Sequence, residues 1–208
     1  EGDVGAPTTV ILTMKNGSIL WYAFQGPADG DGGRPSIDGL KVILDNAIRL
    51  KDGILDVVNN GNTVDITSNW VNISGFSIKH DRNWSSNPGS NPGIEVYYVD
   101  NVTISNCNIY DNNWEGIEFE YSSNNNIYNC SIYNNSYGIY FEYSSNNNIY
   151  NCSIYNNNFS IAMVYSSNNT ITGNTISNNY NGIHLYDSSN NNIYHNNIYG
   201  NADYGICN

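Results

Sequence analysis

An all-β solenoid, a parallel β-helix wound in coils of about 22 residues, is the fold this sequence predicts, and three observations predict it. First, "YSSNNNIYNCSIYNN" occurs at residues 121–135 and again, verbatim, at 143–157. Repetition at a fixed short period marks an architecture in which each unit buries its apolar face only against its neighbours. Second, runs such as "GIEFE", "GIYFE" and "GIHLY" alternate at period two, as a strand with one buried face does. Third, Asn makes up about a fifth of the chain. Asn is a poor helix former and tolerates the left-handed backbone that tight corners need.

The N-terminal region, residues 1–60, is less regular and reads as irregular early coils or a cap. "TTVILTMKNGSILWYAF" (8–24) fits one or two strands, and "GPADGDGGRP" (26–35) is a turn-rich loop. "LKVILDNAIRL" (40–50) fits a helical stripe through Leu40, Ile43, Leu44, Ala47 and Ile48, or a strand over "KVIL"; early coils are favoured over a capping helix. Residues 61–208 form one continuous repeat domain. Its units begin at Gly93, Gly116, Gly138, Ser160, Gly182 and Gly205. Each carries an apolar-x-apolar strand, a corner such as "SSNNN", two short strands such as "NIY" and "SIY", and an "NN" corner. Ile117 and Phe119 should face inward with Glu118 and Glu120 outward, and Ile127 and Ile132 inward with Tyr128 and Tyr133 outward. "DRNWSSNPGSNPG" (81–93) should bulge from the side.

The stretches "GNTVDITSNWVNISGFSIKH", "NVTISNCNIYDNNWEGI" and "NNTITGNTISNNYNGIHL" resemble the right-handed β-helix repeats of the pectin-lyase-like superfamily, closest to NosD-like surface proteins of methanogenic archaea. The resemblance covers about residues 61–208 and implies a right-handed coil. It does not imply one activity, because the superfamily includes lyases, hydrolases, binding proteins and structural proteins. Related lyases use an Arg or Lys base beside Ca²⁺, and related hydrolases a cluster of Asp; these coils offer neither.

Composition narrows the partners. The chain carries seven Lys and Arg against nineteen Asp and Glu, net −12, and every basic residue lies at or before Arg82. Nucleic acid and anionic lipid both demand clustered cations, so neither is an expected partner. No apolar run reaches the ~20 residues of a membrane span. Without an initiator Met or leader, the sequence reads as a mature or trimmed product. Low Lys, abundant Asn and Tyr and the acidic balance point to an extracellular or cell-surface location. Sequons at Asn16, Asn72, Asn83, Asn101, Asn134 and Asn158 are candidate N-glycosylation sites.

Aligned coils place Phe76, Cys107, Cys130, Cys152, Asn174 and Asn196 in one inward column. Buried free thiols acting as small hydrophobes are the favoured reading. A strained disulfide or a soft-metal site, the latter suggested by the copper association of NosD-like proteins, is the alternative. Cys207, aligned with the outward His184, is a candidate for an intermolecular role.

The outward columns of the first strand read Glu95, Glu118, Tyr140, Ala162, His184 and, beside it, Tyr97, Glu120, Glu142, Val164, Tyr186. Glu118, Glu120 and Glu142 admit three readings: a solvated acidic strip, a Ca²⁺ site relieving like-charge repulsion, or a weak catalytic pair at glycosidase spacing. No other cofactor is expected. "DGDGG" (29–33) resembles a fragment of a calcium loop without its downstream Glu.

Tyr110, Tyr133, Tyr155 and Tyr199 should share one outward column, and Tyr128, Tyr150 and Tyr194 another; Ser177 and Thr172 stand where a Tyr is missing. With Tyr97 and Tyr140 they form a surface for glycans or for another protein. The sequence stops at "YGICN" without an amphipathic cap, which suggests end-to-end stacking. Three functions compete, in this order: a self-assembling structural protein of a surface layer, sheath or filament; a carbohydrate-binding module; and a polysaccharide hydrolase or lyase.

Overall fold

The computed structural model describes the strands within residues 8–57, then residues 63–66, 69–80 and 92–208. The regular coils have the predicted architecture. Each contains one strand of up to six residues, as in Glu115–Glu120, and two of three residues, as in Asn126–Tyr128 and Ser131–Tyr133. Corresponding strands of successive coils pair in parallel and generate three sheets. The first contains the long strands and the second and third the short ones. The register aligns like with like: Ile117 with Ile139, Ile127 with Ile149, and Ile132 with Ile154. No helix occurs among the described residues.

The early region forms irregular strands, some of which join these sheets. Thr8–Thr13 and Ile19–Phe24 form an antiparallel hairpin. Leu40–Lys41 extends the first sheet antiparallel to Val64–Ile66, and Ile54–Val57 joins the third sheet in parallel with Ser77–His80. The "DGDGG" motif, the sequons at Asn16 and Asn83 and most of the 81–93 loop lie outside the described residues.

Stacked Ile fills the interior: Ile104, Ile127, Ile149 and Ile171 behind the second sheet and Ile109, Ile132, Ile154 and Ile176 behind the third, all fully buried. Behind the first sheet, Phe119 and Phe141 stack face to face at 4.9 Å, with Met163 continuing their column. β-branched Ile suits both the pleated strand and the core it lines.

The corners need more than Ile. Each bends through left-handed residues, including Asn106, Asn129 and Asn151 at the second corner and Asn134, Asn156 and Asn178 at the third. A buried Asn follows at the third corner, and Asn135, Asn157 and Asn179 each latch their coil to the coil before. Asn135 Oδ1 accepts the backbone N–H of Asn112 at 3.0 Å, and Asn135 Nδ2 donates to the carbonyl of Ile109 at 3.3 Å. Asn157 and Asn179 repeat the pattern one and two coils on. At the first corner Ser122, Ser144, Ser166 and Ser188 make an analogous hydroxyl ladder. Buried backbone polar groups at bends have no sheet partner, so this side-chain column supplies it.

Candidate functional site

The cysteine column is buried and inward, as expected, and all four thiols are free. Its role is more specific than filling space. In the same column Asn174 Oδ1 accepts the N–H of Cys152, and Asn174 Nδ2 donates to the carbonyl of Ile149. The thiols imitate this latch. The sulfur of Cys130 takes a backbone hydrogen bond from Cys107, and that of Cys152 takes one from Cys130. In return Cys130 Sγ donates toward the carbonyls of Tyr128 at 3.3 Å and Ile104 at 3.7 Å. A hydrogen bond with Cys130, and then burial, push the Cys107 thiol well above the ordinary thiol range. The Cys107 contact lowers Cys130, but the Cys152 contact and burial push it up to about 12. Cys107 and Cys130, protonated and enclosed, are therefore poor nucleophiles and poor metal ligands, whereas the hydrogen bond with Cys130 lowers the Cys152 thiol against the effect of burial. Cys207 is half-buried in register with His184, its thiol raised by burial and then by Asp203.

The candidate carboxylates fall into two adjacent columns of the first sheet. Glu120 and Glu142 are register partners, flanked by Tyr97 before and Val164 after. Glu118 pairs instead with Glu95 and Tyr140. Burial, and then the Glu142 charge, raise the Glu120 carboxyl above its ordinary value. Burial followed by the Glu142 carboxylate and Tyr137 likewise raises the Tyr140 phenol. Among the described residues, no three His, Cys, Asp or Glu side chains come together to hold a metal ion.

This pair has a pH signature. A carboxyl whose folded value lies above its unfolded one is disfavoured once ionised. The penalty is absent at low pH and develops as pH rises through the raised value. Glu120→Gln is therefore expected to raise the melting temperature at pH 7, corresponding to about 0.2–1 kcal/mol for a like-charge cross-strand pair, toward the low end because the pair is partly exposed. The gain should vanish below about pH 4, near the ordinary glutamate value. Thermal melts at both pH values check this; equal gains at both would show that the two carboxylates do not interact.

The tyrosine columns stand in the predicted register. Tyr110, Tyr133 and Tyr155 stack with ring centroids 5.0 and 4.9 Å apart, and Tyr128 stacks on Tyr150 at 4.9 Å. Two further ladders escaped the sequence reading. Tyr98, Tyr121, Tyr143 and Tyr165 stack at 4.7 to 5.0 Å along the first corner, and Tyr137 stacks on Phe159 with Trp114 tilted beside it. All four corner tyrosines have positive φ, between 49° and 55°. That conformation costs a non-glycine residue roughly 1–2 kcal/mol, and each stacked aromatic pair returns about 0.5–1.5 kcal/mol. Stacking thus offsets much of the strain. Tyr165 ends the ladder with Tyr186 edge-on, and Asp187 takes the left-handed position in the next coil.

Among the sequons, Asn72 and Asn158 are exposed, whereas Asn101 and Asn134 are half-buried at left-handed corners. Asn134 also borders an open polar hollow of ≈ 290 Å³ lined by Asn112, Asn113, Asn135, Ser136 and Asn156. The Asn112 Oδ1 beside it is buried without a hydrogen-bond partner.

Charge is segregated around the coil. From Thr103 onward, the second and third sheets and the corner joining them contain no Asp, Glu, Lys or Arg. The acidic residues of the same coils, Glu95, Asp100, Asp111, Glu115, Glu118, Glu120, Glu142, Asp187 and Asp203, all lie on the first sheet or the corners flanking it.

Parallel coils of this length, with like residues stacked and a latched polar corner, match a family described as the right-handed β-helix region over residues 53–208. The chain belongs to that family. Among solved structures, this β-helix is similar to the A-module of the Azotobacter vinelandii mannuronan C-5 epimerase AlgE4, at 14% identity over 74% of this chain and 71% of that one, with a TM-score of 0.38. It is also similar to the A-module of the AlgE6 epimerase from the same organism, at 15% identity over 74% of this chain and 56% of that one, TM-score 0.37. A third is the enzymatically active domain of bacteriophage CBA120 tailspike protein 2, at 10% identity over 94% of this chain and 51% of that one, TM-score 0.43. No curated protein matches the sequence. Family membership establishes the fold and leaves the closeness to NosD-like archaeal proteins as an expectation. No described helix is long and apolar enough to cross a membrane.

Proposed function

We propose that this β-helix is an extracellular structural protein that assembles side by side through the tyrosine-laddered faces of its second and third sheets. The charge segregation carries the reading. Two copies of a chain with net charge −12 repel wherever their acidic sides meet, and the uncharged sheets allow close approach. Those sheets are regular and carry Tyr, which is favoured at protein interfaces because it combines apolar area with a hydroxyl. Their rings are already stacked on one another, so inside a continuous ladder the π faces are occupied and the edges and hydroxyls point outward. Such a surface suits packing against another ordered face better than it suits stacking on a sugar.

The test replaces Tyr110, Tyr128 and Tyr133 together by Ser, the residue found in those columns at Ser177 and Ser105. Wild-type protein should grow in mass with concentration in light scattering and form ordered polymers in electron micrographs. The triple variant, with an unchanged circular dichroism spectrum, should remain monomeric. A wild-type protein that stays monomeric at high concentration would overturn the proposal.

A further inference from the structure

The ladders break in one coil, and the break runs across two sheets. On the second sheet the outward column reads Tyr128, Tyr150, Thr172, Tyr194. On the third it reads Tyr110, Tyr133, Tyr155, Ser177, Tyr199. Between the sheets, the left-handed corner position is Asn129 and Asn151, then Gly173, then His195. At all three columns, then, the coil from Phe159 to Asn179 carries a small group between larger neighbours. The outcome is a transverse notch rather than a continued ladder.

This notch leaves aromatic faces unoccupied. Tyr150 stacks on Tyr128 on one side, and on its other side the column continues as Thr172. Tyr194 stands beyond, 49% exposed, and its ring meets His195 edge-on at 5.2 Å. Two coil spacings separate Tyr150 from Tyr194, about 10 Å between backbones. A flat, carbon-faced ring fits there, with a contact of about 3.5–4.0 Å on each side. Thr172, half-buried between Tyr150 and Tyr194 in register, lies at the floor. Gly173, with φ +67° and no side chain, lets the Asn151 side chain lean over the corner, its Oδ1 2.9 Å from where a Cβ would stand. The third-sheet half is tighter, since Ser177 is only 6% exposed beneath its neighbours.

We infer that the notch walled by Tyr150 and Tyr194 and floored by Thr172 and Gly173 binds a ring of a neutral oligosaccharide. Open aromatic faces stack on the apolar C–H face of a pyranose, and the Thr hydroxyl and the Asn151 and His195 side chains border the space where sugar hydroxyls would lie. Nothing in the notch is a carboxylate or a permanent cation. A uronate or sulfated glycan would meet a protein of net charge −12 with no basic group to receive it. This site differs from the acidic first sheet, and it lies on the second-sheet face through which copies are proposed to pack, so sugar and assembly compete for it.

The experiment titrates wild-type protein, kept dilute enough to be monomeric in light scattering, with neutral hexaoses (cellohexaose, maltohexaose, chitohexaose and mannohexaose) and with a hexauronate, read by calorimetry and by ligand-observed NMR. Thr172→Tyr is the decisive variant, because it refills the ladder with the residue found on either side and should leave the fold intact by circular dichroism. The expected result is saturable binding of at least one neutral hexaose, none of the hexauronate, and at least a tenfold weaker affinity in Thr172→Tyr. The Tyr110, Tyr128, Tyr133 triple Ser variant should bind as wild type even if it no longer assembles. Failure of every neutral hexaose to bind, stronger binding of the hexauronate, or undiminished binding by Thr172→Tyr would each overturn the inference. A notch protected only in assembled protein, with no sugar bound by the monomeric triple variant, would show that a second copy occupies it and would also overturn the inference.

Discussion

Asn157→Leu should destabilise the protein by at least about 3 kcal/mol, although Leu nearly matches Asn in shape. Asn157 Oδ1 accepts from Asn135 N at 2.9 Å and from Asn135 Nδ2 at 3.2 Å. Its Nδ2 donates to the carbonyls of Ile132 and Tyr155 and to Asn179 Oδ1, at 3.1 to 3.2 Å. Leu removes all five, at about 0.5–1.5 kcal/mol net for each, and strands the Asn135 N–H away from water, at about 1–3 kcal/mol for a buried unsatisfied group. Hydrophobic gain cannot compensate, because the site already excludes water and gains no new burial. Denaturant unfolding checks this, with Asn192→Leu, an exposed strand position without a positive φ, as a control for general loss of amide. The opposite substitution in the cysteine column, Cys130→Asn, should hold or raise stability, since Asn174 shows that the column accepts an amide with a 2.9 Å bond. If Asn157→Leu proved neutral, the corner ladder would be decoration rather than support.

Phe141→Ala should cost about 3–5 kcal/mol, the usual range for deleting a buried aromatic ring. Phe141 is fully buried. It stacks on Phe119 below and has Met163 above in register. Neighbouring coils are held at a fixed spacing by three sheets, so the walls cannot collapse into the hole. Phe141→Leu should recover part of the loss. The nearby Tyr143→Ala, which removes an exposed ring but keeps a Cβ in the left-handed position, should cost less, because it forfeits only stacking on Tyr121 and Tyr165, about 0.5–1.5 kcal/mol per pair. Chemical denaturation of the three variants side by side separates core from ladder. A Tyr143→Ala loss as large as that of Phe141→Ala would show that the exterior stack holds the coils together.

Period-two alternation made the inward and outward columns legible, which is why Ile127, Ile132, the cysteine column and the Tyr110–Tyr133–Tyr155 series all stand where alternation puts them. It failed where a corner interrupts the period. Tyr121 follows the outward Glu120, so strict alternation would turn it inward; its positive φ turns it out again. The bend begins at that tyrosine rather than at "SSNNN", one residue earlier than expected, and this hid a whole aromatic ladder. A Tyr recurring at 121, 143 and 165 was the available signal. The cysteines were placed correctly and understood incompletely. Burial follows from alternation, but the imitation of an Asn latch depends on hydrogen-bond geometry. That Asn174 and Asn196 continue the column was the clue. The segregation of charge was present in the sequence throughout, yet it means something only once the strands are assigned to faces.

The Asn latch has a direction. Each corner amide reaches back to the coil before it, accepting that coil's N–H and donating to its carbonyl. A coil therefore cannot complete its own bend; the residues that do so arrive about 22 positions later. For a chain leaving a ribosome or a translocation pore N-terminus first, every new coil fastens its predecessor and awaits its successor. Folding of this kind advances like a ratchet, one tooth per turn, with the least secure turn always at the advancing end.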